Sequence, residues 1–252
     1  MGRVFAVANQ KGGVGKTTTS VNLAASVAAA EKRTLLIDMD PQGNASSGVG
    51  IAPRSVVRGT YDVLLGRANL VDVMQDTALA TLKVAPASPD LVGAEYELID
   101  REGRDLVMRG AIEKLRRRFD YVFIDCPPSL GLLTLNALCA ADAVIVPMQC
   151  EYFALEGLGQ LAETIGRVKA ARNSKLKVEG VLLTMFDGRN NLAKQVADEV
   201  RKHFRVFDTV IPRNVRLSEA PSFGQPVLLY DARSTGAQAY LEFAKELLGP
   251  RG

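Results

Sequence analysis

Short apolar runs alternate along this chain with longer segments in which apolar residues recur at helical spacing. The runs predict buried strands, because they are short and consist largely of branched and aromatic residues. They cover residues 4–8, 33–38, 82–87, 120–125, 143–147, 178–184 and 206–211. The segments between them predict helices over 20–30, 60–65, 105–118 and 130–141, one reaching Ala171, one ending at Phe204, and a last one over 234–248.

This alternation predicts the α/β class, with a mostly parallel twisted sheet flanked by helices on both faces. The 252 residues suit one domain of this kind and are enough to bury a large core. We find no internal repeat, low-complexity linker or domain boundary in the sequence. We therefore expect a single domain over residues 1–252.

Composition narrows the function only a little. The net charge of +3 permits an anionic partner without demanding one. Three cysteines and one histidine lie too far apart for a simple zinc site or a disulfide framework, which fits a reducing cytoplasm. The first strand leaves no room for a signal peptide, and no apolar stretch approaches the roughly 18 residues of a membrane-spanning helix. We expect a cytoplasmic protein.

A glycine-rich turn between the first strand and the first helix is the strongest chemical signal. Glycines can curl the backbone so that its N–H groups approach an anion, and the helix that follows adds its positive dipole end. Lys16 would then contact the β- and γ-phosphates, and the Thr17 hydroxyl would ligate Mg²⁺. The alternative is a flexible loop with a surface lysine, which the flanking strand and helix disfavour. The residues expected to bind the nucleotide are Gly12, Gly13, Val14, Gly15, Lys16, Thr17 and Thr18.

Three aspartates follow predicted strands at the same edge of the sheet. Asp38 and Asp40 come at the end of the second strand, and Asp125 ends the strand over 120–125. Because ligands of open α/β sheets bind at the carboxyl ends of the strands, these carboxylates should lie beside the phosphate loop. A strand that ends in aspartate is the Walker B arrangement, so we expect Thr17, Asp38 and Asp125 to hold the metal ion. The alternative for Asp38 and Asp40 is a polar turn that caps a helix.

The loop also departs from the standard phosphate-loop pattern, since Gln10 replaces its first glycine and an extra lysine, Lys11, follows. In this it resembles the deviant Walker A motif of the ParA/MinD group of ATPases, which belong to the deviant P-loop NTPases. The resemblance implies that Lys11 reaches the nucleotide of a dimer partner. The sequence Asp-Pro-Gln-Gly-Asn at 40–44 resembles the ParA/Soj partition ATPases, which implies that Asp40 positions or activates the attacking water. Lys11, Lys16 and Asp40 are thus the expected catalytic residues.

The segment 212–226 resembles the same family. The resemblance implies that Pro212 and Asn214 lie against the adenine and that the arginine that follows them, Arg216, faces DNA. We also expect Arg213 in this segment and Arg189 in an earlier rim loop to bind DNA. The alternative is a proline-rich connector with solvated arginines. A separate run, Arg116-Arg117-Arg118, ends the predicted helix over 105–118, and we interpret it as a solvated turn because cations suit the C-terminal end of the helix dipole.

Together these motifs resemble a chromosomal ParA/Soj-type partition ATPase over nearly the whole chain. The resemblance implies ATP and Mg²⁺ as cofactors, an ATP-bound homodimer, non-specific binding to double-stranded DNA on the nucleoid, and hydrolysis stimulated by a ParB/Spo0J-type partner. A MinD-like membrane-associated positioning ATPase is the first alternative, but its terminal helix should be basic, whereas Lys245 here faces Glu242 and Glu246. An iron–sulfur carrier and a nucleotide-dependent DNA scaffold without turnover are further alternatives.

Overall fold

The computed structural model describes residues 2–151 and 154–249. Its strands are β1 (Arg3–Val7), β2 (Thr34–Asp38), β3 (Gln75–Asp76), β4 (Leu82–Ala85), β5 (Tyr121–Asp125), β6 (Ala143–Gln149), β7 (Lys177–Phe186) and β8 (Ile211–Pro212). Its α-helices are α1 (Lys16–Ala29), α2 (Asn44–Ser47), α3 (Thr60–Leu65), α4 (Leu70–Val73), α5 (Ala94–Glu97), α6 (Val107–Glu113), α7 (Leu132–Ala140), α8 (Ala154–Ala171), α9 (Asn191–His203), α10 (Val215–Glu219), α11 (Val227–Tyr230) and α12 (Thr235–Leu248). Short 3₁₀ turns cover Pro53–Ser55, Pro89–Gly93, Arg116–Arg118 and Ala220–Phe223.

The strands form one sheet in the order β3-β4-β2-β5-β1-β6-β7-β8. Every pair is parallel except β3 with β4. The phosphate loop follows the central strand β1, and β5 beside it brings Asp125 opposite Asp38 of β2. The prediction of a mostly parallel sheet is therefore confirmed, and the two aspartates do share one edge of it.

Helices cover both faces of the sheet, and the strands alternate their side chains between two apolar clusters. In β1 and β5, Phe5 and Phe123 pack on the face that α1 and α12 cover, with their rings 5.6 Å apart. Val4 and Ile124 point to the opposite face, which α3 to α9 cover. Because both faces are buried, the strands have the nearly continuous apolar runs that the sequence shows.

The prediction of a strand over 206–211 is wrong. Val206 makes only a single parallel bridge to Val181, and the strand β8 begins at Ile211. The backbone N–H groups of Asp208 and Thr209 instead donate to the carboxylate of Glu246 on α12, each at 2.9 Å. A carboxylate from another element satisfies these donors, so they are not paired with a neighbouring strand.

The predicted helix over 105–118 and its solvated end also need correction. The helix α6 ends at Glu113, and Arg116 lies in a separate 3₁₀ turn. The Arg116 side chain is only 14% exposed, because it pairs with Glu113 and Asp142 and donates from Nε to the carbonyl of Gly2 at 2.9 Å. Arg116 therefore ties this turn to the first strand, while its two neighbours are exposed as expected.

Other differences are smaller. The strand β3 was not predicted, since it has only two residues and pairs at the sheet edge. The segment 212–226 is largely helical rather than an irregular connector. No helix in the described part of the chain is long and apolar enough to cross a membrane. The ends of the predicted domain, Met1 and residues 250–252, lie outside the described residues.

Candidate functional site

The glycine-rich turn adopts a backbone that needs glycine at two positions. Gly13 and Gly15 have φ angles of 74° and 83°, in the left-handed region that side chains rarely adopt. A Cβ atom on Gly12 or Gly13 would meet nothing within 4 Å, so the space beside the loop is open. The helix α1 begins directly afterwards at Lys16. Its first N–H groups therefore face the same space as the loop, which is the geometry of an anion site.

Lys16 is buried, with 7% of its surface exposed. Its Nζ donates to the carbonyl of Lys11 at 3.0 Å, so the side chain lies back across the loop. Burial lowers the pKa of the Lys16 ammonium, and the charges of Asp125, Cys126 and Asp40 oppose that shift. Because water screens a buried charge less, the ammonium of Lys16 attracts a phosphate more strongly than a solvated ammonium does.

Two hydroxyls of α1 hold the carboxylate of Asp125. Thr17 donates to Oδ2 at 2.9 Å, and Ser20 donates to Oδ1 at 2.7 Å. This places the hydroxyl and the carboxylate that the sequence assigns to the metal ion next to each other. Hydroxyl and carboxylate oxygens are the donors that Mg²⁺ prefers, and at nucleotide sites Mg²⁺ takes one or two of them together with phosphate oxygens and water. The pair Thr17 and Asp125 therefore fits Mg²⁺.

The third predicted metal ligand, Asp38, has a different setting. Both of its oxygens are already used by the loop that follows β2. Oδ1 accepts from the N–H of Asp40 at 3.1 Å, and Oδ2 accepts from the N–H and hydroxyl of Ser46 at 2.8 and 2.7 Å. Asp38 thus holds the turn that carries Asp40, as the alternative of a polar turn expects, and it lies opposite Asp125 in the sheet. Its role as a metal ligand stays a prediction.

Burial strongly affects both carboxyl groups. It raises the pKa of Asp125 to about 8, with the charge of Asp38 adding to the rise and the hydroxyls of Ser20 and Thr17 opposing it. It raises the pKa of Asp38 to about 6, against the hydrogen bonds from Ser46 and Asp40. Without a metal ion beside it, the Asp125 carboxyl group therefore favours its protonated form near neutral pH, whereas the pKa of Asp38 stays just below neutral.

These shifts predict how stability depends on pH in the absence of Mg²⁺ and nucleotide. The folded state retains protons that the unfolded chain releases above its ordinary Asp pKa of 3.8, so the free energy of unfolding should fall as pH rises towards 8. Asp125→Asn should flatten this fall. Urea unfolding at several pH values measures it, with the exposed Asp90→Asn as the control. If the free energy of unfolding of Asp125→Asn falls with pH as steeply as that of the wild type, Asp125 does not have the raised pKa.

A cavity of about 530 Å³ opens beside the loop. Its walls combine the phosphate loop with Asp40, with Pro212 at the end of β8, and with Asn214 just after that strand. The structure thus brings together residues about 200 positions apart that the sequence assigned to one site. The predicted site residues that line it are Gly12, Gly13, Gly15, Lys16, Thr17, Thr18, Asp40, Pro212, Arg213 and Asn214. Val14 does not line it, because its side chain is buried and its carbonyl accepts from Thr184 at 2.8 Å.

Asn214 has an unsatisfied atom in this setting. Its Nδ2 donates to the hydroxyl of Thr235 at 2.8 Å, while its Oδ1 is buried and has no hydrogen-bond partner among the described residues. Buried acceptors of this kind are normally satisfied, so a donor on a bound molecule would remove an unfavourable term.

Lys11 lies outside the cavity. Its Nζ makes an ion pair with Glu151, which follows β6, and its side chain is 37% exposed. Asn9 supports this arrangement by accepting the N–H of Lys11 at 3.0 Å and donating to the carbonyl of Pro147 at 2.8 Å. In this structure the Lys11 side chain is therefore engaged with Glu151 and does not line the cavity beside the phosphate loop.

The three arginines predicted for DNA lie at the surface. Arg189 is the most exposed, with 91% of its side chain accessible, and it pairs with Asp187 in its own turn. Arg216 pairs with Glu219 and Asp231. Arg213 is exposed at the wall of the cavity.

The sequence interpretation missed four polar residues of the site. Ser20 and Ser46 hold the two buried aspartates, Glu151 holds Lys11, and Thr184 ties β7 to the loop. Ser20 lies one helical turn after Lys16, a spacing that could have indicated it. The other three contact residues between 8 and 170 positions away and have no local signal.

Comparisons with known proteins agree with this geometry. A family model described as an AAA domain matches residues 2–178. The chain is 56% identical over 250 residues to the chromosome partitioning protein ParA of Myxococcus xanthus, a match that covers 98% of this chain and 88% of that protein. It is 55% identical over 249 residues to the sporulation initiation inhibitor protein Soj of Bacillus subtilis, covering 98% of each.

Solved structures show the same fold. Cobyrinic acid a,c-diamide synthase from Mycobacterium smegmatis, with bound ADP and magnesium, is 40% identical with a TM-score of 0.86, and the match covers 98% of this chain and 94% of that one. The cell division ATPase MinD of Pyrococcus furiosus is 25% identical with a TM-score of 0.80, covering 98% and 99%.

Proposed function

Since this chain belongs to the ParA/Soj family of chromosome-partitioning ATPases, we propose that it dimerises on binding ATP, binds double-stranded DNA without sequence preference, and hydrolyses ATP when a ParB-type partner stimulates it. The chain is an ATPase, and ATP with Mg²⁺ is its substrate and cofactor. The observation that carries the proposal is the cavity in which the loop of Lys16 and Thr17, the carboxylate of Asp40, and Asn214 meet. We also propose that residues 1–252 form a single ATPase domain, because one sheet connects the two ends of the site.

In the proposed site each group of residues has one task. The backbone N–H groups of Gly12 to Thr17 and the ammonium of Lys16 bind the phosphates, and the Thr17 hydroxyl and Asp125 hold Mg²⁺, with Asp38 beside them. When bound, Mg²⁺ neutralises the charge that develops on the phosphates during transfer. Asp40 lines the cavity close enough to Lys16 to influence its pKa, which supports the proposal that it orients a water molecule at the phosphate end.

The other end of the cavity suits a base. Pro212 supplies an apolar surface, and the unsatisfied Oδ1 of Asn214 would accept a hydrogen bond from the exocyclic amino group of adenine. Guanine carries a carbonyl at that position, so this contact would favour ATP over GTP.

We propose that Lys11 serves the nucleotide of a second subunit. Its ion pair with Glu151 and its position outside the cavity of its own chain support this role in trans. If part of the catalytic charge arrives with the second subunit, nucleotide binding and dimerisation stabilise each other.

We propose a membrane-independent cycle over the MinD-like alternative, and α12 supports this choice. Its apolar residues Tyr240, Phe243 and Leu247 are buried against the sheet, and Lys245 pairs with Glu242. A helix that binds a membrane surface needs its apolar face free.

Replacing Arg189 or Arg216 with alanine should weaken DNA binding equally for unrelated sequences. Each lost phosphate contact should reduce the slope of log affinity against log salt by about 0.9. Fluorescence anisotropy with two unrelated duplexes across a salt series, with ATP present, measures both effects. Arg167→Ala on α8 is the matched control, since its side chain is also exposed. A strong preference for one short sequence would contradict the proposal.

The proposed cycle is tested by phosphate release with neither ligand, with DNA, with a purified ParB-type partner, and with both. We expect the highest rate with both, since each is proposed to act on the ATP-bound dimer. Sedimentation with ADP and with ATP tests dimerisation in the same samples. A rate that the partner leaves unchanged in the presence of DNA would contradict the stimulated step.

A further inference from the structure

A second concave surface lies away from the nucleotide cavity. It is a groove of about 630 Å³ between the α3–α4 segment and α6, larger than the cavity beside the phosphate loop. Residues of the phosphate loop do not line it. We call it the α6 groove, and nothing in the proposed partition cycle uses it.

The floor of the α6 groove is apolar and accessible. Leu106, Val107 and Ala111 of the α6 wall are half-buried, and so is Ala68 of the opposite wall. Val71 beside them is 40% exposed. These side chains leave apolar surface in water, which a partner would cover with a gain in free energy.

The rim of the groove is basic on both sides. Arg58 comes from the segment before α3, Lys114 directly follows α6, and Arg118 lies in the 3₁₀ turn after it. All three side chains are exposed, and none makes a hydrogen bond or an ion pair with another described residue. Cations without partners on both sides of an apolar floor attract an anionic partner that also carries an apolar face.

The other charged residues of the groove do not cancel this field. Arg67 pairs with Glu97 and Arg101 donates to the carbonyl of Leu64, so both are engaged. Of the two carboxylates, Asp72 accepts from Asn69 at the start of α4, and Glu102 is exposed. The groove thus has five cations against two carboxylates, three of the cations being unpaired.

We propose that the α6 groove docks an acidic amphipathic helix of a partner protein. The apolar face of such a helix would cover Leu106, Val107 and Ala111, and its carboxylates would pair with Arg58, Lys114 and Arg118. A nucleic acid would satisfy the cations alone, because a phosphate backbone gains nothing from the apolar floor. The floor therefore favours a polypeptide.

Gly110 provides a sharp test of this surface. It lies in the middle of α6 and lines the groove, and a Cβ atom there would meet nothing within 4 Å. Gly110→Leu should therefore fill the groove without disturbing the fold, and leucine also has the higher helix propensity. Gly166→Leu is the matched control, since Gly166 is an exposed glycine of α8 with equally free space and lies outside the groove.

The probe is a fluorescent helical peptide of about 18 residues with leucines at i, i+3, i+4 and i+7 and glutamates on its other positions. A second peptide carries lysines in place of the glutamates. Binding is measured by anisotropy without nucleotide at about 0.15 M KCl, so the result does not depend on the ATP-driven cycle. Basal phosphate release checks that each variant is folded, since none of the substituted residues lies in the nucleotide site.

We expect the acidic peptide to bind the wild-type chain and the lysine peptide to bind at least about tenfold more weakly. Gly110→Leu should lower the affinity about tenfold or more. Replacing Arg58, Lys114 and Arg118 together with glutamine should lower it by about tenfold to a hundredfold, since each exposed ion pair contributes a factor of roughly two to five. Gly166→Leu should bind within about twofold of the wild type.

Three results would overturn the proposal. One is equal binding of the two peptides, and another is unchanged affinity in Gly110→Leu. The third is displacement of the peptide by a short DNA duplex whose binding depends on the three cations but is unchanged in Gly110→Leu. That result would assign the groove to nucleic acid.

Discussion

Lys16→Ala should weaken ATP binding by at least about 30-fold and abolish hydrolysis. The ammonium of Lys16 is buried at the wall of the cavity, where its charge is little screened by water. Removing one partner of a buried, hydrogen-bonded charge pair costs about 2–5 kcal/mol, so ATP affinity should fall by about 30-fold to several thousand-fold. Titration with a fluorescent ATP analogue in the presence of Mg²⁺ measures the loss.

The matched control is Lys245→Ala, which removes an ammonium whose side chain is 71% exposed on α12. It should bind ATP like the wild type. Thermal unfolding without nucleotide separates a binding defect from a folding defect. Burial disfavours the charged form of Lys16, so removing this ammonium should not destabilise the folded state. ATP affinity within threefold of wild type in a folded Lys16→Ala protein would remove Lys16 from the phosphate site.

The phosphate end of the site could be predicted because its signals are local. Gly13, Gly15 and Lys16 lie within four positions, and the strand–turn–helix context follows from the apolar pattern around them. Asp125 could be placed because a parallel sheet puts the ends of β1 and β5 side by side, and the register confirms it. Local spacing and sheet topology were therefore enough for these residues.

The residues that hold this chemistry in place could not be predicted, since their contacts join distant parts of the chain. Lys11 and Glu151 are 140 positions apart, and neither position shows a pattern that favours the other. The wrong prediction of a strand over 206–211 has the same cause. The segment has the apolar pattern of a strand, but its backbone N–H groups at Asp208 and Thr209 donate to Glu246 of α12 instead of to a neighbouring strand. In both places tertiary contacts, and not local sequence preference, determine the structure.

Asp40→Ala should retain ATP binding and lose turnover. Lys16, Thr17 and Asp125, which hold phosphates and metal in our proposal, are unchanged in this variant. Lys11→Ala should also be inactive as a homodimer if the lysine supplies charge to the transferring phosphate. Two inactive variants with different missing groups then allow the subunit served by Lys11 to be identified.

Mixing Lys11→Ala with Asp40→Ala should restore hydrolysis to about a quarter of the wild-type rate, because half of randomly formed dimers are mixed and each has one complete site of two. In a mixed dimer, the Lys11→Ala subunit keeps its own Asp40 and receives Lys11 from its partner. The matched control mixes Asp40→Ala with the double variant Lys11→Ala/Asp40→Ala, which contains no complete site and should stay inactive. Energy transfer between labelled subunits verifies that mixed dimers form. If they form and the first mixture remains inactive, Lys11 acts within its own subunit, and its ion pair with Glu151 must open towards its own phosphates.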